Sequence, residues 1–374
     1  MAEKPLTEAY DIIVVGAGPA GSSAAKAAAQ RGVKVLLIDR RQRIGVPVQC
    51  AELVTQWVSR YARFSSNCII QTTETMVTHL SDGISPDKTY EMKSPGYMLD
   101  RSLFDKELVT SAILAGAKIA TGTKAIGLSP KGLLVEKESE TKVVQSKVII
   151  GADGVHSSIG RWSGLPPMKP MVALQYEVAN LQTQRQAEVF FLPDYVGGYA
   201  WCFPKGETAN TGIGINASRT AALPKLLDQF LNRLVESKKL SSIDIIGKTG
   251  GSIPCEGPRQ TVFQHILLAG DAAGHAHPIT GAGILNAVIG GKIAGRVAAE
   301  AVARGDLKYI GNYEIEWREA IGGPLFYGVK KRQFLEENWN NSEIGFENLI
   351  RKTWVGFKEY YKGRRQNESP GLTP

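Results

Sequence analysis

The sequence predicts an α/β protein, in which a domain with a parallel sheet is joined to an antiparallel-sheet domain and a C-terminal helical region. Three observations support this prediction. The β-branched run Ile12–Val15 leads into a glycine-rich turn and an alanine-rich stretch, as in a βαβ unit. Alternating apolar and polar residues fill 170–215, which is typical of antiparallel strands. Glycine accounts for 40 of the 374 residues, and such a surplus is typical of turns and of backbone that approaches a ligand closely.

The first element is the βαβ unit. We expect a buried strand at Ile12–Val15, a glycine turn at Gly16–Gly21, and a helix at Ser22–Arg31 that ends at Gly32. A second strand follows at Val33–Ile38. The whole unit fits within about 30 residues, the length expected of one strand, one crossover helix and a return strand.

The glycines of this turn have the spacing of a dinucleotide-binding loop. Gly16 makes the turn, Gly18 lets a pyrophosphate reach the backbone, and Gly21 lets the helix pack on the strand. The helix N-terminus then stabilises the phosphate charge. Asp39, at the end of the second strand, is placed to accept the ribose hydroxyls. The motif predicts a Rossmann-like domain, and its neighbours Pro19, Ala20 and Arg40 are assigned to the same site.

The next hundred residues alternate between helical and extended patterns. Cys50–Tyr61 and Ser102–Ala115 are predicted to be helices, and Ile69–Met92 is predicted to form strands. A meander of three strands follows, at Thr123–Leu128, Gly132–Lys137 and Val143–Ile150.

Beyond the alternating strands of 170–215, the chain becomes mainly helical. Leu223–Lys238 is predicted to be a helix, Ile266–Ala269 a short buried strand, and Leu285–Arg304 a long helix with small residues on close-packing faces. After Leu325 we expect helices rich in Trp, Tyr, Lys and Arg, and then a disordered tail at 364–374.

Composition and charge exclude several classes of protein. Apolar residues make up 43% of the chain and charged residues 21%, which excludes collagen and intrinsic disorder. The net charge of +8 permits an anionic ligand or membrane surface, but no basic module with interleaved aromatic residues indicates nucleic acid. The four cysteines show no metal-ligand spacing and no disulfide framework. Without a signal-peptide pattern or an apolar run of membrane-spanning length, we expect a cytoplasmic protein, soluble or peripheral on the cytoplasmic membrane face.

Two later motifs distinguish among dinucleotide-binding families. Gly151–Gly154 follows one apolar strand, and Leu267–Gly274 ends another. With the glycine turn, in this order, they resemble the FAD-dependent monooxygenase and reductase superfamily related to p-hydroxybenzoate hydroxylase. The resemblance implies that FAD is the cofactor, that Asp271 binds its ribityl chain, and that Pro278–Gly283 approaches the flavin ring ahead of a helix N-terminus. It also places Arg101 at FAD, although a surface arginine at a helix start is the alternative. The remaining FAD contacts assigned on this basis are Ala125, Asp153, Gly154, Gly281, Gly283 and Ile284.

Three large aromatic residues alternate along a predicted strand near residue 200. Alternation places them on one face, and periodicity alone favours a sheet packed on a core. The pattern nevertheless resembles the Y-x-W-x-F-P…G-x-G motif of the geranylgeranyl reductase family, although Val196 stands where that family usually has proline. The resemblance implies an isoprenoid substrate held by Tyr199, Trp201, Phe203, Pro204, Gly212 and Gly214.

Two residues are candidate proton donors. Pro47–Glu52 resembles a segment of the same family whose cysteine lies near the flavin and the substrate, which makes Cys50 a candidate catalytic residue. Its predicted position at a helix start would lower the thiol pKa, and the alternative is a small apolar residue without a role. His277 adjoins the predicted flavin loop and is the second candidate; the alternative is polar filler of the loop.

The resemblance implies an FAD-dependent reductase that saturates carbon–carbon double bonds of a geranylgeranyl-type prenyl chain on a lipid, quinone or pigment. Hydride from reduced FAD would reach one alkene carbon and a proton the other. One alternative is a flavin monooxygenase or halogenase, but halogenases have Trp in place of Tyr199 and Ile in place of Phe203, and neither Lys88 nor Lys93 lies in a matching motif. Another is a quinone-linked electron-transfer flavoprotein, whose extra cluster would need grouped cysteines. The electron donor stays open among ferredoxin, NAD(P)H and quinol.

The C-terminal region bears on membrane contact. Trp354, Phe357 and Tyr361 share one face of a predicted helix, with basic residues nearby. Such a helix would rest on an anionic bilayer or roof the prenyl channel, and a packed terminal helix is the alternative. The predicted domains are discontinuous: FAD binding at 1–70, 100–165 and 260–310, substrate binding at 71–99 and 166–259, and the C-terminal helical region with its tail at 311–374.

Overall fold

The computed structural model describes residues 9–83, 87–130, 132–180 and 185–363. Within these residues the chain forms two eight-stranded sheets with helices packed around them. The strands are β1 (Ala9–Val15), β2 (Val35–Ile38), β3 (Leu53–Thr55), β4 (Ile69–Leu80), β5 (Lys88–Leu99), β6 (Lys118–Ala120), β7 (Thr123–Ser129), β8 (Gly132–Lys137), β9 (Glu140–Gly151), β10 (Met171–Ala179), β11 (Gln186–Phe191), β12 (Tyr199–Lys205), β13 (Thr208–Asn216), β14 (Ile245–Ile253), β15 (Val262–Phe263) and β16 (Ile266–Leu268).

The helices lie mainly in the second half of the chain. They are α1 (Pro19–Ala29), α2 (Val58–Tyr61), α3 (Arg101–Leu114), α4 (Ser158–Trp162), α5 (Leu223–Glu236), α6 (Ile284–Arg304), α7 (Asn312–Trp317), α8 (Gly323–Asn338) and α9 (Phe346–Thr353). Among the helices that the structure describes, none has both the length and the apolar character needed to cross a bilayer.

The first sheet has a parallel centre with strand order β16-β9-β1-β2-β6. Its central strands are continuous apolar runs, as expected where helices or other layers cover both faces of a sheet. Val14 on β1 pairs with Leu37 on one side and Ile150 on the other, and all three are buried. The antiparallel meander β7-β8-β9 joins the same sheet, so the predicted βαβ unit and meander are confirmed.

The second sheet is almost entirely antiparallel, in the order β14-β10-β13-β12-β11-β4-β5-β3, with a parallel pair at β11 and β4. The strands expected in 170–215 are all present. One face of the sheet packs on α5, where Leu227 and Phe230 are fully buried. The other face, which includes Trp201 and Phe203, turns toward the first sheet and the C-terminal segment. The space between the two sheets lies on this second face.

Helices α1 and α6 approach each other unusually closely. A Cβ added at Gly291 would lie 2.1 Å from the carbonyl oxygen of Ala20, and one added at Gly295 would lie 2.0 Å from that of Ala24. Both positions therefore admit only glycine, which explains the predicted small-residue faces of the long helix. This contact fixes the N-terminus of α6 beside the glycine turn.

The prediction of a helix over Cys50–Tyr61 is wrong. The structure has a loop to Glu52, strand β3, and then the single turn α2. Glu52 has a φ of 68°, a left-handed conformation that interrupts any helix. Leu53–Thr55 instead pairs with β5. A helix N-terminus therefore does not lie at Cys50.

The shared helical face predicted for Trp354, Phe357 and Tyr361 is also wrong. Helix α9 ends at Thr353, and Trp354 has an extended backbone. Trp354 and Phe357 are only 2% and 5% exposed, because both pack against the second sheet. These rings are therefore not a membrane-facing surface. The tail predicted to be disordered, 364–374, lies outside the described residues.

Candidate functional site

The glycine turn between β1 and α1 forms a bare backbone cradle. A Cβ at Gly16 would lie 2.3 Å from the Ala152 oxygen, and one at Gly21 would lie 1.8 Å from the Gly16 oxygen. Gly18 has nothing within 4 Å of its missing Cβ, and no side chain caps α1 there. The first N–H groups of α1 are thus open to an anion, and Pro19 and Ala20 line the adjoining cavity. These features fit a diphosphate.

Asp39 lies at the end of β2, beside that turn. Its Oδ2 accepts a hydrogen bond from the Ala17 N–H, and its Oδ1 accepts one from the Arg41 N–H, each at 2.8 Å. The carboxylate is therefore held at the place where a ribose would lie in a dinucleotide-binding fold. The neighbouring Arg40 is exposed.

The second motif divides into a structural part and a cavity-facing part. Asp153 accepts hydrogen bonds from the Ser157 hydroxyl at 2.6 Å and the Ser158 N–H at 2.7 Å, so its carboxylate anchors the start of α4. Gly154, with φ of 84°, lines the cavity. Ala125 lies on β7, packs against the core of the first sheet, and is not among the residues that line the cavity. The sequence assigned all three to FAD, and that assignment stays a prediction.

Asp271 lies on the 3₁₀ turn Gly270–Ala273 and lines the same cavity. Burial raises the pKa of its carboxyl, which the charge of Arg101 only partly offsets. Among the described residues no donor forms a hydrogen bond with this carboxylate. Gly281, with φ of 69°, and Gly283 lead into α6, whose N-terminus has no side-chain cap. Gly281, Gly283 and Ile284 all line the cavity beside Asp271, an arrangement that fits ribityl hydroxyls and a flavin ring.

A cavity of about 430 Å³ extends from this cradle to the second sheet. At one end lie Gly18, Arg101 and Asp271, and at the other end the lining is apolar. One continuous space thus joins a polar end with exposed backbone to an apolar end. The apolar end is lined by Met76, Met92, Ala187, Val189, Tyr199, Trp201, Phe203, Ile253, Trp354 and Val355.

The aromatic face of β12 forms one wall of the apolar end. The ring centroids of Tyr199 and Trp201 are 6.0 Å apart, and those of Trp201 and Phe203 are 6.3 Å apart. The Tyr199 hydroxyl donates to the Thr280 oxygen at 2.6 Å, which links this wall to the loop before α6. Trp201 Nε1 donates to Gln175 Oε1 at 2.9 Å. With their polar atoms thus satisfied, the rings present apolar faces to the cavity.

The two glycines of the aromatic motif make room for the Trp201 indole. Gly212 pairs with Trp201 across β12 and β13, and a Cβ there would lie 2.4 Å from Trp201 Cζ2. At Gly214 a Cβ would lie 3.6 Å from Trp201 Cζ3 and 3.2 Å from Met171 Cε. The glycines therefore support the wall from behind and are not themselves among the lining residues. Pro204 is buried and does not line the cavity either.

The C-terminal segment closes the apolar end. The centroid of the Trp354 ring lies 5.1 Å from the ring centroid of Tyr199 and 5.0 Å from that of Phe191. Its Nε1 donates to Thr78 Oγ1 at 3.2 Å, and Val355 also lines the cavity. The segment thus covers the apolar end, which was one of the three alternatives drawn from the sequence, but Trp354 has an extended backbone and is not part of a helix.

Cys50 lies in the loop at the junction of the two ends. Its Sγ accepts the Glu52 N–H at 3.3 Å, and its carbonyl oxygen accepts Gln175 Nε2 at 3.2 Å. Burial raises the pKa of the Cys50 thiol, and the charge of the Glu52 carboxylate adds to this, whereas the Arg101 charge and the hydrogen bond from the Glu52 N–H act against it. The thiol is therefore protonated at neutral pH, contrary to the lowered pKa expected from a helix start.

Glu52, which the sequence did not assign to the site, fixes this loop. Its Oε1 accepts the Arg101 N–H at 3.0 Å, and its Oε2 accepts Asn210 Nδ2 at 2.9 Å and Lys205 Nζ at 2.6 Å. Glu52 is only 2% exposed, so the carboxylate is stabilised by three donors and not by water. Glu52 belongs to the Pro47–Glu52 segment that the family resemblance marks. The residues that Glu52 contacts lie more than 45 residues away in the chain, so the sequence could not predict these contacts.

Arg101 begins α3 and lines the cavity. Its guanidinium forms two hydrogen bonds with Asp105, at 2.9 and 3.0 Å. Burial alone would lower the pKa of Arg101, but the Asp105 carboxylate and the Cys50 side chain together more than offset this and raise it. A permanent positive charge therefore lies beside Cys50 and Asp271, as a contact with an anionic cofactor requires.

His277 lines the cavity at the loop before α6. Its Nδ1 accepts the N–H groups of Ile279 and Thr280, each at 3.3 Å, which leaves the ring hydrogen on Nε2, 3.3 Å from the Tyr360 hydroxyl. Burial lowers the pKa of His277 to about 4. The ring is thus neutral at physiological pH, and both nitrogens already hold the loop in shape.

The fold and the cradle define the class of protein. A family of FAD-dependent oxidoreductases matches residues 11–155, the part that forms the glycine turn, Asp39 and the parallel strands. The solved structure of a flavin-dependent brominase shares the fold, with a TM-score of 0.69 and 17% identity, over 91% of this chain and 92% of that one. The protein is a flavoprotein oxidoreductase with FAD as its cofactor.

The second sheet and the similar proteins identify the family within the flavoprotein oxidoreductases. The geranylgeranyl reductase catalytic domain family matches residues 170–253. The digeranylgeranylglycerophospholipid reductase of Methanosarcina acetivorans is 38% identical over 86% of this chain and 83% of its own, and that of Methanothrix thermoacetophila is 38% identical over 87% of each. A geranylgeranyl bacteriochlorophyll reductase-like structure from Thermoplasma acidophilum has a TM-score of 0.81 and 27% identity, over 96% of this chain and 94% of that one. The chain belongs to the geranylgeranyl reductase family.

Proposed function

We propose that this protein saturates the double bonds of geranylgeranyl chains on a glycerophospholipid. The observation that carries the proposal is the single cavity that joins the FAD cradle to an apolar end walled by Tyr199, Trp201 and Phe203. Curated relatives at 38% identity are named for reduction of that lipid class. Reduced FAD, when bound, supplies the hydride for this chemistry.

The chain's own residues bind, orient and shield the substrate. The aromatic wall and Trp354 hold an apolar chain by burial alone, because their polar atoms already have partners. Such an enclosure aligns the alkene and excludes water. Arg101 contributes a fixed positive charge at the cradle end.

Of the two candidate proton donors, the geometry favours Cys50. Its thiol lies at the junction of the polar and apolar ends, and its raised pKa keeps the proton in place at neutral pH. His277 is engaged at both nitrogens and is neutral. We therefore assign proton delivery to Cys50 and positioning of the loop before α6 to His277.

An external reductant must regenerate the flavin. Among the described residues no group of His, Cys, Asp and Glu could hold a metal ion, and the four cysteines are free. The reductant is one of ferredoxin, NAD(P)H or a quinol, and each is tested by anaerobic flavin bleaching with the candidate donor.

The experiment for the whole proposal separates reduction from oxygenation. The purified holoprotein is reduced with dithionite without oxygen, and digeranylgeranylglycerophospholipid, geranylgeranyl diphosphate or menaquinone is added separately. We expect flavin reoxidation by the lipid, with a product two mass units heavier for each bond saturated. Failure of every prenyl compound to reoxidise the flavin would refute the proposal, and oxygen consumption coupled to a hydroxylated or halogenated product would favour the monooxygenase and halogenase alternative.

A further inference from the structure

The single turn α2, with Trp57 directly before it and Ala62 directly after it, has both buried and exposed apolar side chains. Val58 and Ala62 are buried in the core of the first sheet. Trp57 and Tyr61, also four residues apart, point outward and are 38% and 37% exposed. Residues four apart share a helix face, so the two rings form one surface. Trp57 is the only exposed one among the six tryptophans, all of which lie in the described residues.

The same surface carries positive charge. The Arg60 guanidinium lies 4.1 Å from the Trp57 ring centroid, and Arg63 is exposed two residues beyond Tyr61. Residues 53–73 contain no Asp or Glu. Exposed Trp and Tyr rings flanked by arginines are the combination that binds at the headgroup level of an anionic bilayer. We call Trp57, Arg60, Tyr61 and Arg63 the α2 surface.

The α2 surface lies next to residues that line the cavity. The Gln56 N–H donates to the Pro95 oxygen at 3.3 Å, and Pro95 is both exposed and among the residues that line the cavity. Thr55, two residues before Trp57, lines the cavity as well. An apolar chain that leaves a bilayer next to the α2 surface therefore meets the cavity within a few residues.

We propose that the α2 surface docks the protein on an anionic lipid bilayer, so that a prenyl lipid passes Pro95 into the cavity without crossing water. The purpose of docking rests on the proposed function, but docking itself needs no reductase activity. A competing apolar group, Ile243, Ile245 and Ile246, lies at the beginning of the edge strand β14. It contains no aromatic ring, carries Asp244 in its midst, and lies at the opposite end of β14 from the residues that line the cavity.

The test is cosedimentation of the holoprotein with vesicles of phosphatidylglycerol or of phosphatidylcholine, at low and high salt. Wild-type protein should pellet with phosphatidylglycerol at low salt and much less at high salt. Arg60→Gln/Arg63→Gln should weaken binding roughly fivefold for each arginine, and Trp57→Ser/Tyr61→Ser should abolish it. Matched controls, Lys124→Gln/Lys308→Gln for charge and Ile245→Ser/Ile246→Ser for apolar surface, should bind as wild type does.

A second measurement locates the contact directly. Vesicles with brominated acyl chains should quench part of the tryptophan fluorescence, and Trp57→Phe should lose that quenching while it retains binding. FAD content and melting temperature verify that each variant is folded. The proposal is overturned if no vesicle pellets the wild type, or if the isoleucine pair and not the α2 surface carries the binding.

The two proposals fail separately. Activity on geranylgeranyl diphosphate in solution should be unchanged in the α2 variants, because none of the substituted residues lines the cavity. A wild type that binds vesicles as expected but reduces no prenyl compound would refute the proposed function alone.

Discussion

The cofactor cradle and the substrate wall are built in opposite ways. The cradle consists of backbone kept bare by glycine, with Gly16 and Gly21 each within 2.3 Å of a carbonyl oxygen if a Cβ were added. The wall consists of large side chains from two distant parts of the chain, Tyr199 and Trp201 from β12 and Trp354 from the C-terminal segment. A cofactor common to many enzymes requires fixed backbone, whereas a particular apolar substrate requires a shaped side-chain surface. Substitutions in the cradle should therefore abolish every activity, and those in the wall should leave FAD bound and alter the use of the prenyl substrate.

The largest effect is expected in the cradle. Gly21→Ala places a Cβ 1.8 Å from the Gly16 oxygen. Because Gly16 lies in the tight strand-to-helix turn and Gly21 in the first turn of α1, the backbone there must distort. We expect loss of bound FAD, measured as the ratio of absorbance at the flavin band to that of the protein. Gly311→Ala, where nothing lies within 4 Å, is the matched control and should remain yellow. A fully yellow Gly21→Ala variant would contradict the cradle.

The next largest effect is expected from Gly212→Ala, which should leave the cofactor cradle intact and disturb the substrate wall. Gly212→Ala forces a methyl group against the Trp201 indole at 2.4 Å, which should cost about 1–3 kcal/mol of stability and displace the ring. We expect normal FAD content and a rate of prenyl reduction at least tenfold lower, measured with excess reductant. Gly247→Ala on β14, with its nearest neighbour atom at 3.7 Å, should reduce as wild type does. Equal rates for the two variants would show that the indole position is unimportant.

Trp354→Ala tests the closed end of the wall. Removing this ring should cost about 3–5 kcal/mol of unfolding free energy and lengthen the apolar end, so the variant should accept longer prenyl chains relative to geranylgeranyl. Trp339→Ala is the control, because Trp339 is similarly buried and hydrogen-bonded, to the Pro193 oxygen at 3.0 Å, but does not line the cavity. Competition between prenyl alcohols of different lengths, read by mass spectrometry, should separate the two. An identical preference in both variants would exclude Trp354 from substrate contact.

The smallest effect concerns the loop between the two ends. Burial raises the pKa of the Cys50 thiol, and the charge of the Glu52 carboxylate adds to this, so Glu52→Gln, which removes the charge and keeps the backbone N–H, should lower that pKa and shift alkylation of Cys50 to lower pH. The protonated thiol, which prevails below its pKa, is then lost at lower pH than in the wild type. Peptide mass spectrometry after iodoacetamide treatment across a pH series follows this residue alone. Glu177→Gln removes the other carboxylate beside Lys205, at 3.5 Å, and should leave the midpoint in place; a midpoint unmoved by Glu52→Gln would exclude the electrostatic role.

The same contrast explains what the sequence could predict. The glycine turn, the parallel strands and the aromatic alternation at Tyr199 are local patterns, and the structure has the corresponding elements. Trp354 reaches the cavity only because the C-terminal segment, about 150 residues beyond Trp201 in the chain, folds back onto the second sheet. No local sequence pattern predicts such a long-range contact. The helical spacing of Trp354 and Phe357 predicted a helix that the structure does not have, because this segment packs against the second sheet after α9 has ended. Glu52 was present in a noticed segment, but its left-handed backbone and its ion pair with Lys205 are visible only in three dimensions.

One measurement tests the cofactor cradle and the substrate wall together. Wild-type and Gly212→Ala holoproteins, matched in FAD content, are reduced anaerobically and mixed with digeranylgeranylglycerophospholipid in a stopped-flow spectrometer. The wild type should reoxidise with a product two mass units heavier for each bond saturated, and the variant, with the same FAD content at the start, should reoxidise at least tenfold more slowly. A wild type that stays reduced, or a variant that reoxidises as fast as the wild type, would contradict a single cavity in which the Trp201 wall aligns the prenyl chain at the flavin.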